Sequence, residues 1–145
     1  MDKKPTKSFF GRLGGKSRLA KCIVDQFPLN YQKLLYVEPF AGAGSVFWRK
    51  EPSEIDVVND LNKDIYDLWR DMKVVGETVK DMDFNIDTVT HYKTLRDKTV
   101  FDTPAERLYR NLYVSKWSFG TMRGTWVGPA AVKMRKNSNV GKCLR

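Results

Sequence analysis

Histidine and cysteine are scarce in this sequence. His91 is the single histidine, and Cys22 and Cys143 are the two cysteines. The chain therefore has too few imidazole groups to favour a histidine-rich metal site or a histidine-based catalytic triad. Two cysteines so far apart indicate neither a disulfide framework nor a zinc knuckle. We assign no metal site to the chain and no role to His91.

The sequence also lacks a long apolar run. No segment approaches the ~20 residues of a membrane span, and the charged start 1–7 leads into no signal-peptide core. With 41% hydrophobic and 30% charged residues among 145, the composition is that of one soluble globular domain. It excludes collagen, low-complexity linkers and a wholly disordered chain. We therefore expect a reduced, cytoplasmic protein.

Acidic residues are absent from positions 107–145. Residues 1–106 hold 17 basic and 17 acidic side chains, so the net charge of +9 comes entirely from the final segment. Its nine basic residues are interleaved with the aromatic residues Tyr109, Tyr113, Trp117, Phe119 and Trp126. Such a stretch attracts a polyanion through phosphate neutralisation and counterion release. The alternative is a solvated basic tail.

Apolar spacing and turn residues predict an α/β fold. Two short apolar runs predict strands at 34–37 and 55–60. Helical periodicity predicts helices at 16–27, 65–72, 74–82, 88–97 and 103–117. The last of these begins with Thr103 as N-cap, Pro104 at the first position and Glu106 at the third. We also expect a short helix capped by Ser45 and, from its glycines, a β-hairpin or ordered loop within 119–132.

A glycine loop follows the first predicted strand. Gly42 and Gly44 allow a sharp turn and the close approach of a ligand to the main chain. Asp60 follows Gly42 by 18 residues, near the ~20 at which an acid accepts hydrogen bonds from ribose hydroxyls. Phe47 stands where a dinucleotide motif needs its third glycine, so adenosine without a pyrophosphate, as in S-adenosylmethionine, fits better. The alternative is a structural turn, with Asp60 as a helix cap.

Four segments carry more extended motifs. They are Phe-Gly-Arg-Leu-Gly-Gly-Lys at 10–16, Val-Glu-Pro-Phe-Ala-Gly-Ala-Gly-Ser-Val-Phe at 37–47, Val-Asn-Asp-Leu-Asn-Lys-Asp-Ile-Tyr-Asp-Leu at 58–68, and 107–124, where Leu-Tyr-Arg-Asn-Leu-Tyr leads into Trp-Ser-Phe-Gly. Together they resemble the Dam-type DNA adenine-N6 methyltransferases. The resemblance implies a partial Rossmann-like, S-adenosylmethionine-dependent methyltransferase sheet with a helical DNA-recognition insertion and a β-hairpin.

The resemblance implies a cofactor site within residues 1–73. The residues that would bind S-adenosylmethionine are Arg12, Lys16, Glu38, Phe40, Gly42, Gly44 and Asp60. Arg12 stands where relatives usually have an aromatic residue. Glu38 would set the loop or reach the methionyl end through water, and Asp60 would hold the ribose hydroxyls.

Residues 74–145 would form a helical target-recognition region with a basic hairpin and tail, and double-stranded DNA would be its partner. The side chains that we expect to contact DNA are Lys116, Arg123, Trp126, Lys133, Arg135 and Lys136. Arg123, near the hairpin tip, would reach a base edge, while the lysines and Arg135 would neutralise phosphates.

The catalytic Asp-Pro-Pro-Tyr motif of that family is missing. No two prolines are adjacent, and no carboxylate side chain follows Glu106. In the motif, a carboxylate and a carbonyl accept from the adenine N6 amine while an aromatic ring stacks on the extruded base. We assign no catalytic residue and expect a site-specific DNA adenine-N6 methyltransferase, truncated or split, whose remainder a second polypeptide would supply. The alternatives are a catalytically inactive DNA-binding or cofactor-binding module, and a nucleic-acid-binding protein whose loop binds no nucleoside.

Overall fold

The structure is a computed structural model that describes residues 10–11, 14–86, 88–118 and 124–127. Its elements, in chain order, are helix α1 (Ala20–Val24), a 3-10 turn (Tyr31–Lys33), strands β1 (Leu35–Glu38) and β2 (Ile55–Val58), and helices α2 (Lys63–Val79), α3 (Val89–Asp97) and α4 (Pro104–Trp117). This mixture of helices with a small parallel sheet is compatible with the predicted partial α/β fold. None of the helices in the described ranges is both long and apolar enough to cross a membrane.

The chain divides into two compact units. The first unit comprises residues 14–69, and the second comprises residues 10–11 together with the described residues from 70 onward. Helix α2 begins in the first unit and ends in the second. The functional assignments of 1–73 and 74–145 stay predictions.

The sheet of the first unit has two parallel strands. Leu35 pairs with Ile55 and Val37 with Val57, and all four of these aliphatic side chains are exposed on one face. On the other face, the ring of Tyr36 contacts Phe27, with 5.8 Å between the ring centres. Both predicted strands are confirmed, although the second ends two residues early.

Two predictions of local structure in the first unit are wrong. The helix expected at 16–27 is limited to Ala20–Val24, and its N-terminus has no side-chain cap. Residues 45–49 form turns instead of a helix capped by Ser45. In that stretch, Trp48 N donates to Gly44 O and Lys50 N donates to Val46 O. Two such bonds are fewer than a helix needs to offset the entropy of its first turn.

Helix α2 corrects another prediction, because the two helices expected at 65–72 and 74–82 form one element. Asn62 Oδ1 accepts hydrogen bonds from the backbone of Asp64 (3.0 Å) and Ile65 (3.4 Å) and so caps the start. The helix bends at Val75 (φ −130°, ψ 15°), which precedes Gly76. A β-branched residue followed by glycine is a weak point in a helix.

Helices α3 and α4 confirm their predicted bounds to within one residue. Thr88 Oγ1 accepts from His91 N at 3.2 Å and Thr103 Oγ1 from Glu106 N at 3.1 Å. The core of the second unit is rich in aromatic and aliphatic side chains that are fully or almost fully buried, among them Tyr92, Leu108, Leu112, Tyr113 and Trp117. The Thr103 N-cap acts as predicted, because the interaction is local.

A buried ion pair joins α2 to α4 within the second unit. Arg107 donates from Nε to Asp71 Oδ2 (2.6 Å) and from Nη2 to Asp71 Oδ1 (2.8 Å). Beyond α4, Ser118 and Trp126 form an antiparallel bridge, and Val127 N donates to Trp117 O at 3.0 Å. That pairing agrees with the approach and return of a hairpin, but most of the predicted hairpin lies outside the described residues.

Candidate functional site

The loops that follow β1 and β2 meet at one edge of the sheet. Because the strands are parallel, their carboxyl ends lie together. The pairing continues past both strands, since Asn59 N donates to Glu38 O (3.0 Å) and Ala41 N donates to Asn59 O (2.9 Å). Ligands of open α/β sheets bind outside this edge of the strands.

Asp60 connects the two loops directly. Its Oδ2 accepts from Gly42 N at 2.8 Å, and its Oδ1 accepts from Asn62 N at 2.9 Å. Gly42 and Asp60, which lie 18 positions apart in the sequence, are thus joined by a hydrogen bond in the fold. Each carboxylate oxygen retains a second lone pair, so this geometry leaves acceptor capacity for ligand hydroxyls.

The glycine loop is backed by Trp69, which lies in the helix that the sequence predicts at 65–72 and for which the sequence indicates no role at the site. Gly42 (φ +52°) and Gly44 (φ +64°) both adopt a left-handed conformation. A Cβ at Gly44 would lie 2.5 Å from Trp69 Cζ2, whereas a Cβ at Gly42 would meet nothing within 4 Å. The Trp69 indole also donates to Gly42 O at 3.0 Å. One side of the loop is therefore packed, and Gly42 borders open space.

Two further aromatic side chains extend this support. Trp48 stacks on Trp69 with ring centres 5.6 Å apart and an interplanar angle of 14°, and Phe47 meets Trp69 edge-on at 5.3 Å. A rigid aromatic backing limits the conformations of the loop. This arrangement depends on how α2 packs against the loop, so no sequence motif could have identified it.

Glu38 ends β1 with a half-buried carboxylate. Its Oε2 accepts from the Tyr36 hydroxyl at 2.8 Å and from Phe47 N at 3.2 Å. Burial raises the pKa of Glu38 above its ordinary value, while these two hydrogen bonds and then the charges of Lys16 and Lys50 oppose the rise. Glu38 therefore does set the loop, through its contact with Phe47 N. The sequence did not single out Tyr36 or Lys50.

The remaining predicted cofactor residues differ in their surroundings. The Lys16 side chain is exposed, and its charge acts on Glu38. The Phe40 ring is 74% exposed, beside the glycine loop, instead of packing in the core. Arg12 lies outside the described residues. The structure thus joins Gly42 and Asp60 by a direct hydrogen bond, and Glu38 contacts the backbone of Phe47 after the same glycine loop. Cofactor binding by any of these residues stays a prediction.

Two of the six predicted DNA-binding side chains fall in the described part of the second unit. Lys116 Nζ donates to Asn85 Oδ1 at 2.9 Å and lies 5.2 Å from the Trp117 ring, and burial lowers the pKa of its amine. Trp126 stacks on Trp117 at 5.5 Å and meets Tyr92 edge-on at 5.3 Å. Both side chains therefore contribute to packing. The others lie outside the described residues: Arg123, Lys133, Arg135 and Lys136.

Comparison with known families agrees with this arrangement. The family described as D12 class N6 adenine-specific DNA methyltransferase matches residues 13–122, which is more than half of the chain. No curated protein matches the chain at a significant level. The chain belongs to the D12 class of N6 adenine-specific DNA methyltransferases. Methyltransferases of this class generally use S-adenosylmethionine.

The residues at the sheet edge fit such a cofactor. An adenosyl group needs acceptors for its ribose hydroxyls and an apolar surface, and Asp60 and Phe40 are of those types. A methionyl group carries an ammonium and a carboxylate, and Glu38 and Lys16 offer the opposite charges. The open space beside Gly42 allows a ligand to approach the main chain.

Proposed function

We propose that the chain binds S-adenosylmethionine at the sheet edge and takes part in the methylation of adenine N6 in DNA. The observation that carries this proposal is the 2.8 Å hydrogen bond from Gly42 N to Asp60 Oδ2. It joins a left-handed glycine loop to an acid at the carboxyl edge of two parallel strands, where nucleoside ligands bind in such sheets. When bound, S-adenosylmethionine supplies the methyl group.

The residues of this chain act by binding and orienting. Asp60 accepts hydrogen bonds from the ribose hydroxyls through its remaining lone pairs, while its contact with Gly42 holds the loop. Glu38 and Lys16 bind the charged methionyl end. Trp69 keeps the loop in one conformation, so the donor is held in a defined position, which is a major source of rate enhancement.

Substitution of Asp60 tests the cofactor site. Asp60→Ala should weaken S-adenosylmethionine binding by several-fold or more, because a charge-assisted hydrogen bond is worth ~1.5–3 kcal/mol. Glu54→Ala is the control, since Glu54 is an exposed acid of the same unit as the half-buried Asp60. Calorimetry gives the affinities, and denaturant unfolding shows whether the loop is intact. If Asp60→Ala binds S-adenosylmethionine as tightly as Glu54→Ala does, Asp60 does not bind the ribose hydroxyls.

The basic segment is proposed to bind duplex DNA, with Arg123 at a base edge and Lys133, Arg135 and Lys136 at phosphates. The charge of residues 107–145, nine basic side chains and no acid, supports this assignment. Selection from a random duplex pool distinguishes the two roles. Arg123→Ala should lose the enriched sequence, whereas Lys133→Ala should keep it, bind all duplexes more weakly and show a shallower salt dependence. Retained enrichment in Arg123→Ala would exclude base reading.

Methyl transfer is proposed to require a second polypeptide that carries the Asp-Pro-Pro-Tyr motif, which these 145 residues do not contain. Parallel sheets are normally covered on both faces. The exposed aliphatic face formed by Leu35, Val37, Ile55 and Val57 supports an additional covering element. The test is transfer of a labelled methyl group to DNA by the chain alone. Transfer above the no-enzyme control would show that the chain needs no such partner, whereas cofactor binding without transfer agrees with a binding module or an incomplete enzyme.

A further inference from the structure

A buried lysine lies behind the candidate cofactor site. The Lys50 side chain is only 1% exposed, and its ammonium is 2.5 Å from Asp56 Oδ1. It also donates to Ser53 Oγ and to the Glu51 carbonyl, each at 3.0 Å. Burying an ammonium is costly unless it is paired and hydrogen-bonded. Two hydrogen bonds and the ion pair with Asp56 therefore hold the side chain in one position.

Lys50 contacts the residue that orients Glu38. Its ammonium lies 4.5 Å from the centre of the Tyr36 ring, and Tyr36 stands opposite Asp56 in the strand register. The Tyr36 hydroxyl donates to Glu38 Oε2 at 2.8 Å. Burial, followed by the hydrogen bond to Glu38, raises the pKa of Tyr36, so its hydroxyl stays protonated and can only donate to the carboxylate.

These contacts make the two oxygens of Glu38 unequal. Oε2 accepts two hydrogen bonds, from Tyr36 and from Phe47 N. Within the described ranges, no protein group donates to Oε1. The carboxylate is therefore fixed through one oxygen, and the other is available to a ligand at the edge of the sheet.

We propose that Tyr36 and Lys50 are positioning residues that hold Glu38 as an ionised acceptor for the cationic amino group of an adenosyl amino acid. The inference rests on the proposed function and adds a prediction about which adenosyl ligands the site prefers. Ligands that carry the amino-acid end should gain affinity from this network, whereas nucleosides without it should not. A network that serves only to stabilise the sheet would affect both kinds of ligand alike.

Two adenosyl ligands separate these roles. S-adenosylhomocysteine carries the amino-acid ammonium, and 5′-methylthioadenosine lacks the amino acid. Tyr36→Phe removes one hydrogen bond, so it should weaken S-adenosylhomocysteine by about threefold to tenfold. Binding of 5′-methylthioadenosine should change less than about twofold. Calorimetry on the 145-residue chain gives both affinities.

Tyr31→Phe is the matched control. The Tyr31 hydroxyl belongs to the same unit and accepts from Glu51 N at 3.0 Å, but it makes no contact with Glu38. This variant also loses a phenolic hydroxyl and one hydrogen bond. It should bind both ligands as the wild type does.

The pH dependence gives an independent readout. Among the described residues, the titratable groups that act on Glu38 are Tyr36, Lys16 and Lys50, and Asp56 acts on Tyr36. Protonated Glu38 is a poorer acceptor for an ammonium, so affinity for S-adenosylhomocysteine should fall as the pH drops through the pKa of Glu38. Loss of the Tyr36 donor or of the Lys50 charge raises that pKa further, which moves the loss of affinity to higher pH. Lys50→Met should therefore behave as Tyr36→Phe does, and Lys50→Arg should restore the profile.

The outcomes distinguish the two proposals. If the wild type binds neither adenosyl ligand, the proposed cofactor site is wrong. If the wild type binds both, but Tyr36→Phe weakens them equally or not at all, the cofactor site stands and the positioning role is wrong. A selective loss for S-adenosylhomocysteine, accompanied by the shift of its pH profile, supports the role of Tyr36 and Lys50.

Discussion

Replacing Gly44 by alanine tests the packing behind the glycine loop. Gly42 and Gly44 both have positive φ angles, so an alanine at either position adopts a left-handed conformation. That costs about 1–2 kcal/mol for a residue with a Cβ. The smaller unfolded-state entropy of alanine offsets about 0.4–1 kcal/mol of it. Both of these effects are common to the two glycines.

The surroundings of the added methyl group differ. At Gly44 the new carbon would lie 2.5 Å from Trp69 Cζ2, 2.7 Å from Trp69 Cη2 and 3.2 Å from Trp48 Nε1, whereas at Gly42 it would meet no atom within 4 Å. Forcing an extra carbon into a packed site costs about 1–3 kcal/mol. Gly44→Ala should thus lower the free energy of unfolding by about 1–3 kcal/mol more than Gly42→Ala does.

Urea unfolding of the whole chain, followed by tryptophan fluorescence and circular dichroism, measures this difference. Trp69→Phe completes a double-mutant cycle, because phenylalanine lacks the two Trp69 atoms, Cζ2 and Cη2, that the new methyl group would meet. In that background, the extra cost of Gly44→Ala over Gly42→Ala should shrink to what the remaining 3.2 Å approach to Trp48 Nε1 imposes. Equal costs for both glycine variants in the wild-type background would refute the claim that Trp69 packs rigidly against the loop.

Further predictions concern the stability of the helices, each measured by denaturant unfolding. Asp71→Ala should cost about 3 kcal/mol, the lower end for a broken buried pair, because the Arg107 side chain left behind is 27% exposed; a loss below about 1 kcal/mol would contradict this. Lys21→Ala breaks an exposed pair in α1, and we expect a change below about 0.5 kcal/mol. Thr103→Ala removes the cap that accepts from Glu106 N and should cost about 0.5–2 kcal/mol, with Thr103→Ser close to the wild type.

Local signals in the sequence were sufficient for much of the fold. Thr103 caps α4 as predicted, because an N-cap interaction joins residues only three positions apart. Both strands and the proximity of Gly42 to Asp60 also follow from short apolar runs and from the spacing of strand, glycine loop and acid. The motifs at 10–16, 37–47 and 58–68 were enough to predict the family, which the match over 13–122 confirms.

The tertiary structure decided what depends on contacts distant in the sequence. Trp69 lies 27 residues from Gly42, and its place behind the loop follows from the packing of α2, not from its periodicity. The length of α1 was overestimated because periodicity alone cannot supply the caps and contacts that sustain a short helix. Lys50 comes near Tyr36 and Glu38 only because the parallel register sets Tyr36 opposite Asp56, the partner of Lys50. A hydrophobic pattern specifies which face of an element is buried, whereas the neighbours of each side chain there are determined by packing.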